Sequence, residues 1–136
     1  MMHEIRLAHG GGGRYSHQLI DAGADVIFGH GPHVLRAIEI YNERFIAYSL
    51  GNFCTYGRFN LDGPNGLSAI MNIKVTETGE FIEGKIIPLK QSYQNGVKID
   101  PENNAIKKIR DLTYFDLPEM KEKLNITDDG LIFKLP

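Results

Sequence analysis

The sequence predicts an α/β fold with a mixed sheet, β-hairpins and C-terminal helices. A short amphipathic run over residues 14–22 leads through Gly23 into an apolar run ending at Gly29, the αβ half of a layered fold. Two pairs of strand-like segments are separated by tight turn residues, the pattern of hairpins. Beyond Gln91 the chain turns polar, and its apolar residues recur at helical spacing.

Size and charge bound the possibilities. A chain of 136 residues is one domain or part of one. Its hydrophobic content of 42% is enough for a core, and its net charge of -2 offers no basic field for a nucleic acid backbone. No apolar run approaches the ~20 residues that a membrane-crossing helix needs, and residues 1–14 have neither the apolar stretch nor the cleavage site of a secretory signal. The single cysteine, Cys54, excludes an internal disulfide and is expected as a small packing residue at a strand end.

The elements follow in order. Four glycines at 10–13 cost too much backbone entropy for a regular element, so residues 1–13 are expected as a flexible leader. Residues 14–22 form a helix with Tyr15, Leu19 and Ala22 on one face, and Gly23 suits its left-handed cap. Residues 25–29 are a buried strand. Residues 35–41 and 44–50 are strands joined by Asn42 and Glu43, the second apolar enough to be central. Residues 56–66, rich in Gly, Asn, Asp and Pro, are a loop. Residues 67–76 alternate with period two, Ile70 excepted, and return after a turn at 77–79 along 81–89. Helices are expected over 101–112 and 117–124, with Pro118 in the first turn of the second. A turn at 128–130 precedes a short apolar end.

The chemistry concentrates at Gly29-His30-Gly31-Pro32-His33-Val34. Two imidazoles stand three positions apart where a strand ends, the place where α/β folds hold ligands, and imidazole is the commonest protein ligand for zinc-like metals. Gly31 and Pro32 make a bend stiff enough to converge the rings. The alternative is a pair of hydrogen-bonded turn residues. A complete site needs more ligands, and Asp21, Asp25, Glu39 and Asp62 are acidic candidates with no distinguishing spacing. Asn52, after the central strand, either points its amide into the same cleft or caps a turn. His17 reads as a packing or surface residue, and His3 and His9 as solvated, although His9 beside the glycines is also a ligand candidate. Ser49 lacks a nucleophile elbow. Residues 10–13 lack the context of a phosphate loop, and turn chemistry alone accounts for residues 63–66.

Four ordered segments carry a resemblance: 19–25 (LIDAGAD), 29–34 (GHGPHV), 38–41 (IEIY) and 48–53 (YSLGNF). Together they resemble the CapA family of bacterial capsule-synthesis proteins linked to poly-γ-glutamate. The resemblance is specific over about residues 15–56 and weaker to Leu89. It implies a partial metallophosphoesterase-like αβ sandwich holding a divalent metal ion (Mn, Zn, Fe or Mg) at its strand ends. His30 and His33 would be the ligands of its late histidine motif, in a turn one residue longer than the usual Gly-His-x-His, and Asn52 would orient substrate. The early Asp-x-His, Gly-Asp-x-x-Asp and Gly-Asn-His motifs are absent. On this reading residues 14–90 are expected as the carboxyl-terminal half of such a domain, from either a truncated reading frame or a remnant, and residues 91–136 as a helical or irregular extension.

The expected function is a capsule-biosynthesis protein with an incomplete hydrolase-like metal site, acting on an anionic polymer or a phosphorylated small molecule. The alternative is a non-catalytic envelope or capsule-assembly subunit, binding polymer, protein partners or itself through an open sheet edge. A fragment without independent function is the blandest possibility. Family members suggest association with the cell envelope.

Overall fold

The computed structural model describes residues 12–136 apart from Tyr56 and Arg58. Residues 1–11 of the expected leader, with His3 and His9, lie outside the described residues. Gly12 and Gly13 open a helix, α1 (Gly12–Asp21), two residues ahead of its expected start. Its end follows the sequence signal. Gly23 takes φ +111°, the Gly23 amide donates to Ile20 O and the Ala24 amide to Leu19 O at 2.9 and 3.0 Å. That pair of bonds is the Schellman cap.

α1 leads into β1 (Val26–Phe28), followed by β2 (Ile38–Tyr41) and β3 (Arg44–Ala47). They form a mixed sheet in the order β1-β3-β2, with β1 parallel and β2 antiparallel to the central β3. Asn42 and Glu43 both have positive φ, as a two-residue type I′ hairpin requires. The expected strand over 35–41 is shorter. Only Leu35 bridges, to Leu50, before β2 begins.

Strand alternation gives this sheet two different faces. Ile38, Ile40, Phe45 and Ala47 enter the main core. Glu39, Tyr41 and Tyr48 take the other face, under α1, where the His17 Nε2–H donates to Glu39 Oε2 at 2.9 Å. The Tyr48 hydroxyl donates to the same carboxylate oxygen, and the His17 ring stacks on Tyr41 at 3.7 Å. Glu39 is only 6% exposed, so this network satisfies a carboxylate that would otherwise be costly to bury. Burial, then the hydrogen bond to Glu39 and its charge, push the Tyr48 phenol well above its ordinary pKa of 10.0.

The second sheet is antiparallel, built from β4 (Leu67–Val75), β5 (Phe81–Ser92), β6 (Gly96–Ile99), β7 (Leu124–Ile126) and β8 (Leu131–Lys134). β4 and β5 pair in the expected hairpin, with Ile70 opposite Ile87. β6 folds back on the end of β5, and β8 pairs with Glu83–Lys85 near its start. Residues 91–136 therefore contribute three strands to the sheet. Phe45 of the first sheet and Phe81 of the second stack at 5.4 Å, joining the sheets through one core.

α2 (Asn104–Asp116) starts three residues later and ends four later than expected. Buried Asp100 accepts from the Asn104 and Glu102 amides at 2.7 and 3.2 Å, fixing the start. Thr113 Oγ1 accepts from the Ile38 amide at 3.0 Å and donates to Ile109 O. That contact extends the helix and covers the edge of β2. Leu117 leaves helical geometry ahead of Pro118, so the second expected helix is only a 3-10 turn at Pro118–Glu122. β7 follows it, tied to α2 where Tyr114 Oη donates to Leu124 O and accepts from the Ile126 amide.

Candidate functional site

The candidate site lies where β1 and β3 leave their sheet. The Gly29 amide donates to Ala47 O at 2.8 Å, and the Leu50 amide donates to Gly29 O at 2.9 Å. The strands approach so closely there that a Cβ on Gly29 would stand 2.4 Å from Tyr48 O. Only glycine fits that contact. The chain then turns through His30 to His33, closed by the His33 amide donating to His30 O at 3.0 Å.

Each imidazole is held through one nitrogen. His30 Nδ1 lies 3.2 Å from Gly51 O. A carbonyl only accepts, so Nδ1 carries the proton. His33 Nδ1 lies 2.9 Å from Asn52 Oδ1, while Asn52 Nδ2 donates to His33 O at 3.0 Å. That second bond fixes the amide orientation, so His33 Nδ1 is also the donor. In the neutral form of both rings Nε2 then carries the lone pair, and neither Nε2 has a hydrogen-bond partner among the described residues. Fixing one ring nitrogen with a protein acceptor is how metal-ligating histidines are oriented.

Asn52 also holds strain. His33 sits at φ +58°, a conformation that costs of order 1–3 kcal/mol for a non-glycine residue and persists only where its surroundings impose it. The two-point Asn52 clamp imposes it. Asn52 is itself fixed from the second sheet, since Gln91 Nε2 donates to Asn52 O at 2.8 Å and Gln91 Oε1 accepts from the Thr55 amide. Asn52 and Gln91 are buried, whereas His30 and His33 are exposed. The His33 ring leans on Phe59 at 5.0 Å. An exposed pair of rings on a buried polar mount is thus the organisation of the site.

The structure brings His30, His33 and Asn52 into one hydrogen-bonded unit. Three of the four acidic candidates are engaged elsewhere, and the fourth, Asp62, accepts from the Asn65 amide through its backbone carbonyl in the turn beside Asn52. Asp21 accepts from Tyr41 and Asn42, Asp25 pairs with Arg44 at 3.4 Å, and Glu39 lies under α1. Among the described residues no group of three or more His, Cys, Asp or Glu side chains is placed to hold a metal. Ser49 is buried and accepts from the Gly51 amide, which makes it a turn former. Cys54, expected to pack, is instead exposed at φ +49°, because the chain has already left the strand.

Two features were not read from the sequence. Gln91 lies beyond the expected end of its strand, and only the continuation of β5 to Ser92 places it under Asn52. A shallow pocket of about 140 Å³ opens beside the chain leaving the turn, lined by Val34, Leu35, Arg36, Pro64, Lys108 and Leu112. Arg36 and Lys108 are exposed and form no ion pair among the described residues. They meet only because α2 covers this end of the first sheet.

A histidine turn at the strand ends of an αβ layer, mounted on a buried asparagine, defines the class of site. Residues 12–56, which contain the histidine turn and Asn52, match the family model described as bacterial capsule synthesis protein PGA_cap. Over 33 residues the chain is 70% identical to the PGA biosynthesis protein CapA of Bacillus subtilis, covering 24% of this chain and 9% of that protein. Over 36 residues it is 72% identical to an uncharacterized protein of Sinorhizobium fredii, 26% of this chain and 8% of the other. A longer match, 31% identical over 108 residues, covers 70% of this chain and 27% of a Mycobacterium tuberculosis protein named "Probable polyglutamine synthesis accessory protein". The chain is therefore a partial match to the CapA family, and the resemblance read from its four motifs holds. The matched regions span 8–27% of the length of these relatives.

Proposed function

We propose that this chain supplies the histidine turn of a divalent-metal site in a capsule (poly-γ-glutamate) synthesis protein associated with the cell envelope. The observation that carries the reading is the matched state of the two rings, each with Nδ1–H held by a protein acceptor and Nε2 free. His30 and His33 are the metal ligands through Nε2, and Asn52 and Gly51 O orient them. A divalent ion held there would polarise a phosphoryl or acyl oxygen and ease deprotonation of water. Two ligands are fewer than the three of a catalytic zinc site, so catalysis requires donors from outside the described residues. Arg36 and Lys108, beside the turn, favour an anionic substrate, whether polymer or phosphorylated small molecule, because cations in a shallow pocket attract and orient such groups.

The incomplete ligand set also supports a second reading, a non-catalytic assembly subunit that binds the same anionic polymer. Calorimetric titration of the full chain with zinc and with manganese tests the metal reading. Micromolar affinity is expected, weakened at least tenfold in His30→Ala and in His33→Ala, with a melting temperature that rises with metal as binding to the folded state requires. A melt identical with and without metal, or binding unchanged in both variants, overturns it. Retained metal binding with no hydrolysis of phosphate esters or γ-glutamyl amides selects the second reading.

A further inference from the structure

Gln91 is a polar residue at a core position. At the end of β5 the strand alternates, so that Leu89 and Gln91 face inward while Lys90 and Ser92 face out. Leu89 is 3% and Gln91 7% exposed. An amide buried there is costly unless its polar atoms are bonded. Both ends are bonded, and neither bond reaches another strand of the sheet. Nε2 donates to Asn52 O at 2.8 Å, and Oε1 accepts from the Thr55 amide at 3.3 Å. The backbone beneath the side chain has no slack. A Cβ on Gly66 would stand 2.8 Å from Gln91 O and 2.6 Å from Leu61 O, so the loop ahead of β4 packs directly on the end of β5.

We propose that Gln91 is the positioning residue of both imidazoles. The acceptors that hold the two rings, Gly51 O for His30 and Asn52 Oδ1 for His33, belong to consecutive residues. One planar peptide group joins them. Gly51 makes only an isolated bridge, to Ser68, and the segment begins and ends in left-handed backbone, at φ +75° for Gly51 and φ +49° for Cys54. No strand ladder therefore holds the residues that carry the acceptors. The Gln91 side chain stands in for one. Its N–H meets Asn52 O and its C=O meets the Thr55 N–H, the donor and the acceptor that a neighbouring strand would offer.

The other contacts of Asn52 cannot replace this clamp. Asn52 Nδ2 donates to His33 O at 3.0 Å and to Asn65 O at 3.5 Å, and both bonds orient its side chain rather than its backbone. Without the Gln91 donor, Asn52 O has no hydrogen-bond partner among the described residues. A buried carbonyl left unbonded is costly, so the peptide groups at 51 and 52 turn to reach water. Gly51 O then leaves His30, and Asn52 Oδ1 leaves His33. The tautomer of both rings is thus set from the second sheet, by a residue 39 positions beyond Asn52. The effect on metal affinity rests on His30 and His33 being metal ligands, whereas the effect on the ring protons does not.

Two substitutions in the full chain test it. Gln91→Met keeps the length of the side chain and fills the inward slot, but it has neither the donor nor the acceptor. Gln91→Glu keeps an acceptor for the Thr55 amide and lacks only the donor to Asn52 O, so it decides the matter if Gln91→Met does not fold. Leu89→Val, on the same face of β5, is the control for a change in packing alone. Side-chain proton–nitrogen correlations of the metal-free chain, in mildly alkaline buffer where a model imidazole is neutral, report the tautomers. In both Gln91 variants the His30 and His33 rings are expected to pass from the Nδ1–H form to a mixture of the two, and in Leu89→Val to stay as they are. Zinc affinity is expected to fall at least about tenfold in the Gln91 variants and less than about threefold in the control. Unchanged tautomers, or a shift confined to one ring, overturn the proposal whatever the zinc affinity. An equal shift in Leu89→Val also overturns it, because packing alone then accounts for the effect. Rings that shift as expected in a chain that binds no zinc uphold the role of Gln91 and overturn the metal reading instead.

Discussion

Asn52→Ala is expected to lose both the shape of the histidine turn and its affinity for metal. The substitution removes the acceptor of His33 Nδ1–H and the donor to His33 O in one step. The residue so released stands at φ +58° and relaxes once nothing holds it. Groups left without partners next to a buried site cost about 1–3 kcal/mol, so chemical denaturation should show a loss of roughly 2 kcal/mol. Removing a group that orients a metal-ligating histidine typically weakens binding ~10–100-fold, and zinc titration should show a loss in that range. Asn52→Asp separates the two effects. It keeps an acceptor for Nδ1–H but sets a carboxylate oxygen against His33 O, so stability should fall while the ring tautomer is retained. An alanine variant with unchanged stability and unchanged affinity contradicts the account of Asn52 as the mount of the site.

The second large effect is a contrast between two glycines two positions apart. In Gly29→Ala the new Cβ would meet Tyr48 O at 2.4 Å and Ala47 O at 3.2 Å. Both atoms are backbone, so β1 and β3 must separate, and the bonds from Gly29 N to Ala47 O and from Leu50 N to Gly29 O go with them. Lost bonds and forced packing together predict a cost of about 3 kcal/mol or more, a fall in melting temperature on the order of 10 °C. In Gly31→Ala the Cβ meets nothing within 4 Å. The expected change is small, and its sign favours stability if the unfolded chain loses freedom. Thermal unfolding of both variants checks the contrast. Equal effects would mean that the close approach of the strands does not set the geometry of the turn.

What was legible in the sequence was what local chemistry decides. Gly23 announced the helix cap, Asn42 and Glu43 the tight hairpin, and the apolar run at Phe45 the central strand. The histidine pair was legible for the same reason, since a glycine and a proline confine it within four residues at a strand end. What stayed hidden depends on partners distant in the chain. β7 is a strand because Tyr114, ten or more residues away, bonds its backbone. β6 exists because β5 runs on past Leu89. Asn52 had two readings of equal standing until Gln91, 39 residues later, fixed its backbone and left its amide facing His33. Glu39 was one acidic residue among four, and nothing in its spacing marked it as the carboxylate shared by His17 and Tyr48.

The central claim is that His30 and His33 are held with Nδ1–H toward the protein and Nε2 toward one shared ion. Long-range proton–nitrogen correlation of the histidine side chains, recorded on the full chain during a zinc titration, tests it most directly. The account predicts that both rings are in the Nδ1–H form before metal is added, and that their Nε2 signals then move together while those of His17 stay fixed. An Nε2–H form in either ring before metal, or a response of one ring without the other, would contradict it.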